Sequence, residues 1–273
     1  MFLVLYNAEL LLVFGYCQHN CNTASQAALI MPSRISVLPA STQVGKQTIR
    51  FLLQSEQKPL IRGFYRDIAK APAEFTSFPN FQAVQGDIAT GKGLDFIDSD
   101  AVLYIPPPTW DGTDQAEFAH KTANFVANAL KKSRSIKRLV IQSALGAQHE
   151  PEKILSTKDI GQYCAETLLA DAIDPRQRDI RLFGPQHYSP LDVKEALEAV
   201  TGRKGDMILV PEAGLAQYWG KQIPEVYLPE FVKFIKAQLP GGVMAQDYED
   251  GKDTVRCHTS LQEELREMLA QHE

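Results

Sequence analysis

Arg34-Ile35-Ser36-Val37-Leu38-Pro39-Ala40-Ser41-Thr42-Gln43-Val44-Gly45-Lys46 reads as a buried strand, a tight turn and the first turn of a helix. Backbone N–H groups at a helix N-terminus point at an anion, and the helix dipole favours negative charge there, so this order suits the pyrophosphate of a dinucleotide. The usual fingerprint has three glycines, for the turn, for close approach of backbone to phosphate and for packing helix on strand. Pro39, Thr42 and Gly45 hold those places here, so only the third is glycine.

Working outward, Val44, Ile49, Leu52 and Leu53 recur near helical spacing and predict a helix over Gln43 to Gln54, followed by a loop from Ser55 to Pro59. A second strand, Leu60 to Tyr65, ends at Arg66-Asp67. In a dinucleotide fold this point meets the adenosine ribose: a carboxylate suits a free 2′-hydroxyl, a cation a 2′-phosphate. Arg66 argues for NADP, with NAD possible because Asp67 offers the alternative carboxylate. Phe81 to Val84 is a third strand, closed by Gln85-Gly86-Asp87-Ile88, where the Gly-Asp pair suits either an adenine-binding loop or an ordinary turn. Leu94 to Ser99 reads as a short helix or turn.

Asp100 to Ile105 is a continuous apolar run, as in a strand covered on both faces, and Pro106, Pro107 and Pro108 force the chain out of the sheet. A helical stripe from Phe118 to Lys131 and a fifth strand, Lys137 to Ser143, complete the alternation. Five strands alternating with helices predict an α/β fold: a doubly wound parallel Rossmann sheet with a small α+β C-terminal lobe.

Beyond Ser143 the chain predicts a helix from Asp159 to Ala170 with Asp159 at its N-terminus, a strand from Arg178 to Phe183, and a helix capped by Ser189 with Pro190 at its first position and stopped at Thr201-Gly202. Met207 to Val210 reads as an edge strand. Trp219, Tyr227, Phe231 and Phe234 read as the core of the lobe, and Thr259-Ser260 as the cap of a last helix through Leu269. His187 reads as an exposed loop histidine or as an acid–base group facing the cleft.

Composition sets the outer limits. The 273 residues, 44% hydrophobic and 22% charged with a formal net charge of −5, describe a globular chain without the basic excess of a nucleic-acid binder. Cys17 and Cys21 bracket His19, but Cys164 and Cys257 lie far off, short of a closed zinc ligand set. We therefore expect no metal, and free thiols in a reducing, cytoplasmic setting. Met1 to Phe14 is almost wholly apolar yet shorter than the ~20 residues of a membrane-spanning helix, holds Glu9, and lacks the basic start of a secretory signal. A signal or anchor, an amphipathic extension and an unstructured tail all remain open. The expected division is an extension outside the core over 1–30, a nucleotide-binding domain over 31–150, and the rest of the sheet with the small lobe over 151–273.

The ordered set Pro39 to Gly45, Phe64-Tyr65-Arg66-Asp67, Gln85-Gly86-Asp87, Val140-Ile141-Gln142-Ser143-Ala144, Ser156 to Gly161 and Phe183 to Val193 resembles the NmrA-like branch of the atypical short-chain dehydrogenases, from about Ser33 to the C-terminus. The resemblance implies an NAD(P)-dependent oxidoreductase acting on a small carbonyl, imine or enone, with secondary metabolism as its setting. Other members sense the nucleotide without turnover and act through a protein partner. It implies no direct contact with nucleic acid or membrane. By the resemblance Ser41, Thr42, Gln43, Val44 and Gly45 line the pyrophosphate and Arg66 the 2′-phosphate. Asp87 and Ile88 would meet the adenine, Pro106 and Pro107 the nicotinamide ribose, and Ser143 and Ala144 form the floor under the nicotinamide.

Two departures bear on catalysis. A full fold of this kind needs roughly fifty residues between the fifth strand and the Asp-Ile-Gly element for a further helix, a sixth strand and a substrate loop; Leu145 to Thr157 is all there is, so the segment reads as shortened or lost. The short-chain dehydrogenase proton donor is a Tyr with a Lys four residues later, and Tyr163 has Thr167 at that place. Lys153 and Lys158 are the remaining candidate bases, Lys158 also reading as surface charge; no catalytic residue is assigned.

Overall fold

The computed structural model describes residues 2–7, 33–109, 113–143, 156–173, 179–239, 242, 251 and 253–270. Its strands are β1 (Phe2–Asn7), β2 (Arg34–Leu38), β3 (Leu60–Tyr65), β4 (Phe81–Gln85), β5 (Ala101–Tyr104), β6 (Arg138–Ser143), β7 (Asp179–Phe183) and β8 (Thr254–Arg256). They form one sheet in the order β4-β3-β2-β5-β6-β1-β7-β8. The block β4-β3-β2-β5-β6 is parallel throughout, the Rossmann arrangement. Strand order reverses between β2 and β5, so the crevice for a ligand opens outside the carboxyl ends of these two strands.

Helices cover both faces. They are α1 (Gln43–Gln54), the short α2 (Ala73–Thr76), α3 (Gln115–Lys131), α4 (Thr157–Leu169), α5 (Pro190–Thr201), α6 (Leu215–Trp219), α7 (Leu228–Gln238) and α8 (Leu261–Ala270). On one face Ile35, Val37, Ile61 and Leu103 pack with Ile49 and Leu52 of α1 and with Ile160, Cys164 and Leu168 of α4. On the other Leu38, Phe64, Val102 and Tyr104 pack with Val126 and Leu130 of α3. Period-two alternation along each strand sends neighbours to opposite faces, which is why β2 feeds both cores.

Several sequence expectations change. Residues 2–7, placed outside the core by the sequence reading, form a strand between β6 and β7, antiparallel to both; the rest of the extension, including Cys17, His19 and Cys21, lies outside the described residues, as does Lys153. Met207 to Val210 is not a strand: Ile208 is 75% and Leu209 90% exposed, and the sheet edge is instead closed by β8, parallel to β7. Asp159 does not cap α4. Ser156 does, its hydroxyl accepting from Lys158 N at 3.2 Å, while Asp159 turns inward and accepts from the Thr259 hydroxyl at 2.6 Å and amide at 3.1 Å. Buried carboxylates need such partners, and this one fastens α4 to the approach of α8.

The lobe follows the sequence reading more closely. Ser189 and Asp192 form a reciprocal capping box on α5, and Gly202 ends that helix at a φ of 67°. Trp219 meets Phe231 edge-on at 5.1 Å and Phe234 lies 6.1 Å from Phe231, but these rings and Tyr227 are only half-buried, so they cluster without forming the closed core expected.

Burial raises several acids, three of them to about 12. The Cys164 and Cys257 thiols rise from 9.0 to about 12, and the Tyr65 hydroxyl from 10.0 to about 12. Each stays protonated in the fold over a pH range where the unfolded chain ionises, so stability is complete below about 9 and falls as pH rises toward 12. Urea midpoints measured across this range should decline steadily above pH 9; a flat profile would contradict the assignment.

Candidate functional site

Where β2 ends, Pro39, Ala40, Ser41 and Thr42 turn the chain into α1, and Ala40 N binds Phe64 O at 2.9 Å to fix the turn on β3. Thr42 is the N-cap. Its hydroxyl accepts from Gly45 N at 3.0 Å and donates to Pro39 O at 3.1 Å. The N–H groups of Gln43 and Val44, at the first two helical positions, have no acceptor within a helix and face the end of the dipole. Gly45 explains itself sterically: a Cβ there would lie 2.6 Å from Pro39 O and 2.9 Å from Thr42 Oγ1. This is the helix-on-strand contact that the third glycine of the fingerprint serves.

A cavity of about 480 Å³ opens at this turn, lined by fourteen residues that include Pro39, Ser41, Thr42, Tyr65, Arg66 and Lys70. Its far wall comes from Gly86, Asp87, Ile88 and Ala89, and its roof from Pro107, Pro108 and Phe118. It therefore spans the carboxyl ends of β2, β3 and β4 and the exit of β5. Of the residues expected at the nucleotide, it gathers Ser41, Thr42, Arg66, Asp87, Ile88 and Pro107.

The others fall elsewhere. Gln43, Val44 and Gly45 form the first turn of α1, Val44 and Gly45 being buried. Pro106 is not on the wall; Pro108 takes that place beside Pro107. Ser143 ends β6, half-buried and away from the cavity wall, and Ala144 lies outside the described residues.

The walls carry two cations, Arg66 and Lys70, and two acids, Asp67 and Asp87. Arg66 and Lys70 are exposed, and neither makes an ion pair among the described residues. The nearby acids are occupied by their own turns. Asp67 Oδ1 accepts from Ala69 N at 3.1 Å and caps the 3-10 turn Ile68–Lys70. Asp87 accepts from Ala89 N at 3.0 Å and from the Thr90 hydroxyl at 2.9 Å. The two readings of Gly86-Asp87 thus coexist: the carboxylate builds the turn, and the turn forms a cavity wall.

Lys70 was not singled out by the sequence, because it lies beyond the strand end; the 3-10 turn carries it to the cavity. Phe118 was read as part of a helical stripe, yet it starts that stripe at the cavity. Tyr65 also reaches the wall, its hydroxyl buried with no hydrogen-bond partner among the described residues.

The candidate proton carriers are engaged elsewhere. Lys158 Nζ lies 2.6 Å from Glu267 Oε1, and this bond and its charge hold the ammonium above its ordinary pKa. Tyr163 sits on α4, with its hydroxyl raised by burial. His187 lies edge-on to Phe183 at 5.3 Å, and its Nε2 is 3.2 Å from Arg256 Nη2. A guanidinium only donates, so Nε2 accepts. No cluster of potential metal ligands occurs among the described residues, and no described helix is long and apolar enough to cross a membrane.

No family model matches the chain, and no curated protein does. Solved structures do. The triphenylmethane reductase of Citrobacter sp., complexed with NADP(H), is 12% identical, covers 86% of this chain and 99% of its own, and superposes with a TM-score of 0.64. A second structure of that reductase reaches 0.67 at 13% identity, covering 87% of this chain and 99% of its own. The NADPH-dependent quinone oxidoreductase of Escherichia coli, complexed with NADPH, gives 0.56 at 14% identity over 71% of this chain and 85% of its own. At such identities the likeness shows a shared Rossmann fold.

Proposed function

We propose that the protein is an NADP(H)-preferring oxidoreductase of the NmrA-like kind, passing a hydride between the nicotinamide and a small carbonyl, imine or enone. The observation that carries this reading is the presence of Arg66 and Lys70, two cations without ion-pair partners among the described residues, on a cavity that also receives the N-terminus of α1. Two such cations match a 2′-phosphate, and the helix end matches a pyrophosphate. The NADP(H) and NADPH complexes of the two structural neighbours lend support.

The residues present fit the nucleotide. Gly45 lets α1 approach the turn, the Gln43 and Val44 amides lack helical acceptors, and the wall acids are tied to their own backbone. Bound there, the dinucleotide would supply the hydride, and the protein would orient it and shield it from water. Arg66 and Lys70 would bind the 2′-phosphate, Ser41 and the first turn of α1 the pyrophosphate, and Ile88, Ala89 and Phe118 would flank the adenine.

A second reading, a nucleotide sensor without turnover that acts through a protein partner, is favoured by one observation. Lys158 is held by Glu267, and Tyr163 has Thr167 where a lysine would serve it. Titration with NADPH and NADH, followed by nicotinamide fluorescence, tests both. We expect NADPH to bind at least about tenfold more tightly, the worth of one charge-assisted contact. Binding of neither below about millimolar, a level that is hardly specific, would sink both readings; binding without turnover on a panel of quinones, enones and imines would leave the sensor.

A further inference from the structure

Two strands that the local chain cannot join through a further strand flank β1. A parallel neighbour for β6 requires a crossover of a dozen or more residues, usually a helix, and then the strand itself. Only residues 144–156 separate β6 from α4. The position beside β6 is filled from the other end of the sequence. Phe2 to Asn7 pair with Ser143 to Arg138 on one side, and Phe2 to Val4 with Arg181 to Asp179 on the other. β1 is also the only antiparallel strand among those described.

Residues 8–33 join β1 to β2. Asn7 lies opposite Arg138, at the same edge of the sheet from which Arg34 starts β2. Three strand spacings, about 14 Å, separate the two strands, and residues 8–33 can reach on the order of 80 Å when extended. Because β1 belongs to the same chain, it meets the sheet at a raised local concentration. Held this way, a strand is a ligand of the sheet through main-chain hydrogen bonds, the mode by which extended peptides add to sheets.

We propose that the slot between β6 and β7 is a strand-accepting site, which β1 fills as a tethered ligand and which a free peptide of the same sequence fills in its place. This inference is independent of the nucleotide reading. It is tested on the full chain carrying Val4→Pro, since Val4 lies between Ile141 and Asp179 and proline removes a ladder donor.

By amide hydrogen exchange, the amides of Leu139, Ile141 and Ile180 should exchange at least about tenfold faster than in the parent, while that of Arg181, which donates to Asp253 O, and those of β2 and β5 stay protected. Added at millimolar concentration, the peptide Phe-Leu-Val-Leu-Tyr-Asn with two C-terminal lysines should restore the protection, and the same peptide with proline in place of its valine should not. Unchanged exchange in the variant, no rescue, or equal rescue by the proline peptide overturns the proposal. If the variant loses protection throughout, the parent chain decides: saturable uptake of one fluorescent peptide per chain supports the slot, and its absence overturns it.

Discussion

Removing both cations of the cavity wall, by Arg66→Ala together with Lys70→Ala, will lower NADPH affinity about 100-fold while changing NADH affinity by less than about threefold; each charge-assisted contact with a phosphate contributes about 1.5 kcal/mol at an exposed site, or about tenfold. Arg66 alone accounts for about half of this on a logarithmic scale. The loss should shrink with ionic strength, because both side chains face solvent. Fluorescence titration at low and high salt reads all three quantities. Equal losses for both cofactors would remove the 2′-phosphate from the account and leave the two residues as general features of the surface.

Gly161→Ala will destabilise the packing of α4 on α1. The new Cβ would lie 2.4 Å from Gln47 Cβ and 2.8 Å from both Gln47 C and Thr48 N, so it meets the backbone of α1 rather than a movable side chain. Overpacking of this kind costs about 3 kcal/mol, and the better helix propensity of alanine returns about 1 kcal/mol. The net loss of about 2 kcal/mol lowers the thermal midpoint by roughly 4–8 °C in a chain of this size. Gly205→Ala is the control, with nothing within 4 Å of its added Cβ, and should stay within about 0.5 kcal/mol of the parent. A Gly161→Ala protein with an unchanged midpoint would mean that α1 and α4 are not packed this closely.

The strand order from β2 to β6 was legible because the strands there are short runs ended by chemistry that cannot continue them: Pro39 after β2, Gly86 after β4 and the prolines after β5. The caps at Ser189 and Gly202 were legible for the same reason, since they act within a few residues of themselves. Position across the sheet was not. β8 is three residues, Thr254-Val255-Arg256, too short to show alternation, and it is a strand only because β7 is beside it. Met207 to Val210 has the more strand-like composition but no neighbour to bond with, so burial of its side chains never follows.

The candidate site divides along the same line. Ser41, Thr42 and Arg66 stand next to strand ends, so position in the sequence predicts position at the crevice. Lys70 and Phe118 reach the cavity through a 3-10 turn and a helix start, and neither carries a local signal. Asp159 misled because an acid near a helix N-terminus ordinarily caps it. Its partner, Thr259, lies a hundred positions on, and that pairing belongs to the folded chain.

The reversed direction of β1 has a practical side. Seven strands run the same way and deliver their carboxyl ends to the cavity's edge of the sheet, whereas β1 delivers its beginning there, with Phe2 opposite Ser143. Anything fused ahead of Phe2 would therefore emerge at the same edge of the sheet as the ligand crevice.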